Sequence, residues 1–396
     1  MSKWRMTELG NIGTFSTGGT PSRKNPEFFE GTVPWITTVP LGKPFIDEND
    51  AMEFLTPEAI QKSATKTVKP NSLLIGIRVG VGKVSINKVE ICTNQDVVSI
   101  QDVDTSKYHL PYLVHCVKSY AGYFNQKKRG ATIQGINLSI LKEIAIPIPP
   151  LDVQKQIAST LDAVSEVLRL HKSQLAELDN LVKSQYIEMF GSIYDGKYAM
   201  KTLPEIVKKD KNSIKRGPFG GAIKKDDFVE DGYLVYEQRH AIHDDFKYAK
   251  YYISEEKYGD MNGFKVMPGD LIISCSGVTL GRIAEVPTGA KEGIINQALL
   301  KLSLDQNVMM NAFFIQQFRG DEIQEVLFGF SRGSGIPNMP SMNEVKAVRF
   351  ICPPPELQKQ YCDFIKQADK SKFSIQQALD ETQRLFDSLM AEYFEE

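Results

Sequence analysis

The residues able to do chemistry fall into two kinds, which point in different directions. His240 and His243 stand three apart and are followed by Asp244 and Asp245. A metal centre needs convergent ligands with an identifiable third partner, and this group offers none, so no metal is expected. Ser16, Cys275 and Ser276 lie near glycines, but no base is placed for any of them, and an unactivated hydroxyl or thiol is a weak nucleophile. Gly76-Ile77-Arg78-Val79-Gly80-Val81-Gly82 is rich in glycine yet lacks the strand–loop–helix setting of a nucleotide loop, and no Gly-x-x-x-x-Gly-Lys-Ser/Thr occurs. No catalytic residue is expected. The second kind is a set of polar loops. Arg and Lys match guanine, Asn and Gln match adenine, and small groups match the thymine methyl; cations and hydroxyls also bind phosphate. In the first half these are Thr20, Ser22, Arg23 and Lys24, then Arg78 and Lys83, then Lys127, Lys128, Arg129, Thr132, Gln134 and Asn137. In the second half they are Lys215, Arg216, Gln238, Arg239, His240, Ser276, Arg282, Arg332 and Ser334. Any one of these cations, taken alone, is as readily a solvated surface charge. Asn94-Gln95 and Asn296-Gln297 read as capping or strand-end residues.

The elements that position these loops come twice. Pro149-Pro150-Leu151-Asp152-Val153-Gln154-Lys155-Gln156 reappears 204 residues later as Pro353-Pro354-Pro355-Glu356-Leu357-Gln358-Lys359-Gln360. Val68-Lys69-Pro70-Asn71-Ser72-Leu73-Leu74-Ile75 parallels Val266-Met267-Pro268-Gly269-Asp270-Leu271-Ile272-Ile273, each a tight turn into an apolar strand. Glycine corners follow both, 78–84 and 276–283, then Asn94-Gln95 and Asn296-Gln297, then Arg129-Gly130-Ala131-Thr132-Ile133 and Arg332-Gly333-Ser334-Gly335-Ile336. Matched segments in the same order make an internal repeat, and each half reads as α+β.

Each Pro-Pro octet opens a long amphipathic helix. Proline suits the first turn, where its missing N–H loses nothing, and Asp152 or Glu356 suits the positive helix end. Alternate spacings of four and three from Ile157 select Leu161, Val164, Leu168, His171, Leu175, Leu178, Val182, Gln185 and Met189. The partner stripe runs Tyr361, Ile365, Ala368, Lys372, Ile375, Leu379, Thr382, Phe386, Leu389 and Tyr393. Such a seam predicts a coiled coil, with each helix of ~40 residues spanning about 60 Å. The expected domains are 1–148, a helix over 149–190, a second globular domain over 191–352, and a second helix over 353–396. Antiparallel pairing of the helices would relate the halves by a pseudo-two-fold axis and let the rod act as a ruler for a split target.

Bulk properties agree with this plan. A chain of 396 residues suits two domains, and 42% hydrophobic residues with a mean hydropathy of −0.26 suit a globular protein. No apolar run is long enough for a membrane span, the first residues lack the apolar stretch of a signal peptide, and five scattered cysteines suit a reduced, cytoplasmic setting. The net charge of −2 conceals a distribution: residues 1–150 hold 17 basic and 13 acidic side chains, a surplus of four positive charges. The acidity lies in the helical segments, so a phosphate-binding face on the globular parts stays open.

Together these segments resemble the specificity subunit of type I restriction-modification systems. The resemblance runs over the whole chain, on Gly18-Gly19-Thr20-Pro21-Ser22, Pro34-Trp35-Ile36, both Pro-Pro-Leu-x-x-Gln-like helix openings, Gly217-Pro218-Phe219-Gly220, Pro268-Gly269-Asp270-Leu271-Ile272, Ser276-Gly277 and Asn296-Gln297. It implies two target recognition domains separated by two antiparallel coiled-coil helices, and a non-catalytic chain that binds double-stranded DNA at a bipartite, gapped target. It also implies two modification subunits that methylate adenine with S-adenosylmethionine, and restriction subunits that use ATP and Mg, with no cofactor bound by this chain. The Asn/Asp-Pro-Pro-Tyr/Phe loop of an amino-methyltransferase is absent. The alternative from another class is a structural adaptor, a coiled-coil rod presenting two protein-binding domains.

Overall fold

A computed structural model describes residues 4–128, 135–219, 221–329 and 337–394. The chain divides into two compact units, Met1–Ser173 with Gln376–Glu396, and Gln174–Ile375. Each unit thus joins one globular half to part of each long helix.

Unit 1 is organised by two sheets. In the first, Thr14–Thr17, Val97–Gln101, Leu73–Gly76, Val84–Asn87 and Phe45–Ile46 are neighbours in that order. In the second the order is Glu53–Leu55, Val33–Ile36, Ile91–Thr93 and Thr67–Val68, with a parallel pair at Trp35↔Cys92. Unit 2 repeats the order of the first four strands of that first sheet: Ile214–Arg216, Leu299–Leu302, Leu271–Ser274 and Ile283–Glu285 form one sheet. The other contains Tyr252–Ile253, Tyr233–Tyr236, Gly293–Ile295 and Lys265–Val266, again with a parallel pair at Val235↔Ile294. An additional edge strand, Phe228–Val229, is present in unit 2. The strands entered by the predicted turns are fully buried. The turns themselves need a left-handed residue, which Asn71 (φ 60°) and Gly269 (φ 86°) supply.

The long helices are Leu151–Phe190 and Pro355–Phe394. Both start two residues later than expected. A residue followed by proline is pushed out of the helical region, so Pro149 and Pro354 stay outside, and the first helical bonds run from Gln154 N–H to Pro150 O and from Gln358 N–H to Pro354 O. Every residue of the two predicted heptad stripes is buried or half-buried. In unit 1, Ile157 and Leu161 belong to the core against which Phe386, Leu389, Met390 and Tyr393 pack. In unit 2 the helices run antiparallel: Tyr361 Oη donates to Val182 O (3.0 Å) while Lys372 pairs with Asp179 at 2.6 Å. The polar break at Lys372 is therefore an interhelical ion pair.

The recurring glutamine has a defined task. Gln154 and Gln358 are buried. Gln154 accepts from His109 N–H and donates to Lys107 O and Pro149 O, each at 2.9 Å. Gln358 accepts from Met310 N–H and donates to Val308 O and Pro353 O, each at 2.9 Å. One side chain thus holds the start of a long helix to the start of a helix of the globular half (Leu110–Ser119 or Asn311–Arg319), satisfying backbone groups that burial would otherwise strand.

Candidate nucleic-acid interface

In unit 1, loops distant in sequence meet at one end of the first sheet. Gly18 N–H donates to Val97 O (3.2 Å), Ile77 N–H to Asp96 O (2.9 Å), and Ile136 N–H to Ile77 O (2.8 Å). In unit 2 the same bonds run from Gly217 to Leu299 O, from Cys275 to Ala298 O, and from Met339 to Cys275 O, all at 2.8–2.9 Å. The glycines are required by close approach. A Cβ on Gly18 would lie 2.2 Å from Thr93 O, and one on Gly217 would lie 1.8 Å from Asn296 O. Each hairpin corner is closed by paired bonds: Gly76 N–H to Lys83 O with Gly82 N–H to Gly76 O, and Ser274 N–H to Arg282 O with Gly281 N–H to Ser274 O. Asn94 and Asn296 accept from the N–H two residues on, at 3.2 and 3.0 Å. They cap the turn in both units, as the capping reading expects.

Several of the expected contact residues come together here. Thr20 Oγ1 donates to Gln95 Oε1, and Arg78 reaches Asp96 at 3.5 Å. Lys83 and Asn137 are exposed on the same cluster. In unit 2, Arg216 donates to Asn338 Oδ1 (3.4 Å), Asn338 bridges to Ser276, and Gln238 exchanges hydrogen bonds with Ser276 at 3.2 and 3.3 Å. Arg282 is exposed beside them in sequence.

Other expected residues lie elsewhere. Ser22 Oγ accepts from Lys24 N–H in an exposed turn. Arg23 is tied to Glu53 (Nη2–Oε2 2.8 Å) and lies 4.2 Å from the Phe29 ring centroid and 5.4 Å from that of Trp35. The Glu53 bond raises the guanidinium's pKa and lowers that of the carboxyl. Lys127 sits over Tyr123, Lys215 over Phe264 and Arg239 over Tyr248, at 5.5, 4.7 and 4.5 Å, and Lys128 is half-buried. His240 is a correction. It is fully buried, with Nδ1 bonded to the Glu237 backbone and Nε2 3.0 Å from Tyr248 O, so it is a core histidine that no ligand reaches. Arg129, Thr132, Gln134, Arg332 and Ser334 lie outside the described residues.

Sequence reasoning missed the apolar tips of these loops. Phe219 and Val278 are 92% and 96% exposed, and Val79 is 55% exposed. The available signal was a bulky residue placed among the glycines of a turn, where polar residues prevail. Among the described residues, no group of His, Cys, Asp and Glu is arranged to hold a metal. Among the same residues, no helix is long and apolar enough to cross a membrane.

Residues 1–180 match the family model of the type I restriction modification DNA specificity domain. The chain is 31% identical over 161 residues to the EcoR124I/EcoR124II specificity subunit of Escherichia coli, spanning 39% of each protein. It is 26% identical over 188 residues to the MjaIX specificity subunit of Methanocaldococcus jannaschii, spanning 47% of this chain and 44% of that one. The matched stretch is thus under half the length of these relatives. Over 99% of its length the fold is similar to the type I S subunit from M. genitalium (TM-score 0.57, 16% identity, 96% of that chain). It is equally similar to a chain solved to describe complex assembly and conformational transition of the type I R-M system (TM-score 0.58, 16% identity, 97% of that chain).

Proposed function

We propose that this chain, whose residues 1–180 match the type I restriction modification DNA specificity domain, reads a bipartite, gapped sequence in double-stranded DNA, one half-site by each unit. The observation that carries this reading is the convergence, twice over, of the same distant loops into one polar cluster with the same backbone bonds. Two equivalent clusters with unlike side chains, Thr20, Gln95 and Arg78 in one and Arg216, Gln238 and Ser276 in the other, suit two different half-sites. Arg, Gln and hydroxyl groups are the donors that base edges and phosphates require. The proposed ruler for the gap between half-sites is the pair of long helices, Leu151–Phe190 and Pro355–Phe394.

In this reading the chain positions two modification subunits and the restriction subunits on the target and does no chemistry itself. S-adenosylmethionine would be held by the modification subunits, which extrude the adenine because a base edge cannot be methylated inside the stack. ATP and Mg would be used by the restriction subunits. The test maps methylated adenines across a genome with and without this gene, its modification partner being present in both. Loss of one gapped, two-part methylation motif on deletion is the expected result. An unchanged map beside a methyltransferase shown to be active would refute the reading.

A further inference from the structure

We infer that Val79 and Val278 read thymine, each placing its methyl groups against the C5-methyl of a thymine in the half-site of its own unit. The inference rests on the DNA-reading function proposed above and goes beyond it by naming the residue and the atom read. Both valines occupy the apex of the same hairpin corner, the one closed by Gly76 and Lys83 in unit 1 and by Ser274 and Arg282 in unit 2. The corners differ in sequence, Arg78-Val79-Gly80-Val81-Gly82 against Ser276-Gly277-Val278-Thr279-Leu280-Gly281, and in length by one residue. The turn does not ask for valine. Its left-handed positions are filled by Gly80 and Gly82, and by Gly277 and Gly281, and an apex in water favours Asn, Asp, Ser or Gly. The fold does not ask for it either, since the residues are 55% and 96% exposed. A single exposed aliphatic residue is ordinary. An exposed β-branched residue at the equivalent apex of two units is a repeated feature that packing leaves unused.

The surroundings select the occupant. Arg78 and Lys83 flank Val79, both exposed, and exposed Arg282 lies four residues after Val278. Ser276 carries the Gln238 amide beside the second corner. Cations for phosphate, an amide for a base edge and an aliphatic group between them make the combination that the major groove uses, where the thymine methyl is the one apolar group displayed. A protein partner would bury the apex without needing the flanking cations.

The test uses the full chain. Selection from random duplex DNA first defines both half-sites. Each thymine is then replaced singly by uracil, which removes the methyl and nothing else. For the wild type, one such replacement in each half-site should weaken binding about fourfold, the value of one buried methyl group. V278S should bind about fourfold more weakly than wild type and be indifferent to the uracil position in its own half-site, while keeping the sensitivity in the other. V79S should show the mirror result. This non-additivity marks direct contact. Both variants change exposed residues and should melt with the wild type. Several outcomes overturn the inference: a half-site without an A·T pair, no sensitive thymine, or a V278S protein that still senses the same uracil. Loss of a modification subunit with duplex selection intact would also overturn it, and would assign the corners to protein contact. Failure of the wild type to select any duplex would refute the DNA-reading function itself, a result distinct from all of these.

Discussion

Replacing Gln358 with leucine tests the claim that one side chain joins helix to globular half. The amide makes three hydrogen bonds, to Met310 N–H, Val308 O and Pro353 O, and is 1% exposed. Leucine is close in size but can make none. Each lost bond costs about 1 kcal/mol net, and a buried N–H left without an acceptor adds about 1–3 kcal/mol. The Val308 carbonyl keeps a weak donor in Cys352 Sγ at 3.4 Å, which trims the penalty. The expected loss is about 3–5 kcal/mol from a domain stability of roughly 5–15 kcal/mol. With a urea dependence of about 2–3 kcal/mol per molar, the unfolding midpoint of unit 2 should fall by roughly 1–2 M. Hydrogen exchange at the Met310 amide should accelerate in step. Gln360→Leu, at an exposed site two residues away, is the control and should change stability by less than about 0.5 kcal/mol. Gln358→Glu adds a sign test. A buried carboxylate facing two carbonyls has its folded pKa raised above the unfolded value of about 4.3. This variant should therefore be most stable below that pH and lose stability as pH rises through the folded pKa. A midpoint shift under about 0.3 M for Gln358→Leu, equivalent to less than 1 kcal/mol, would refute the argument.

Further outcomes follow from the same geometry. Gly217→Ala, whose Cβ would meet Asn296 O at 1.8 Å, should displace its loop at a cost of about 1–3 kcal/mol and abolish selection of one half-site only, read by duplex selection beside a denaturant melt. Burial pushes the thiols of Cys92 and Cys275 up to about 12. Since the thiolate is the reactive form, neither should react with iodoacetamide at pH 8 until the chain unfolds. These raised pKa values also mean stability that is present below the unfolded thiol pKa of about 8.5 and declines as pH climbs toward 12, checked by melts from pH 8 to 11. Deleting seven residues from both long helices removes about 10 Å of helical rise and should shorten the preferred spacer in methylation mapping. Exchanging residues 1–148 for those of a relative should alter one half-site and leave the other unchanged.

The sequence by itself determined the parts that depend on local rules. The offset between the two Pro-Pro octets exposed the repeat, and the four-three spacing from Ile157 selected helix residues that are all buried or half-buried. Lys69-Pro70-Asn71 and Pro268-Gly269-Asp270 marked where strands begin, because a left-handed turn residue is a local demand. Tertiary structure decided which polar residues face outward. His240 and Gln238 share one short helix, yet one ring is sealed in the core while the other side chain reaches Ser276. Arg23 and Arg78 look alike as loop cations, but Glu53 and the rings of Phe29 and Trp35 hold the first, whereas the second stands on the loop cluster. The same holds for Gln154 and Gln358, whose partners lie 45–50 residues away apart from one local carbonyl. Residue type and spacing carry periodicity and turn chemistry; burial and hydrogen-bond partners arise only when distant strands close, and those decide whether a side chain holds the fold or meets a ligand.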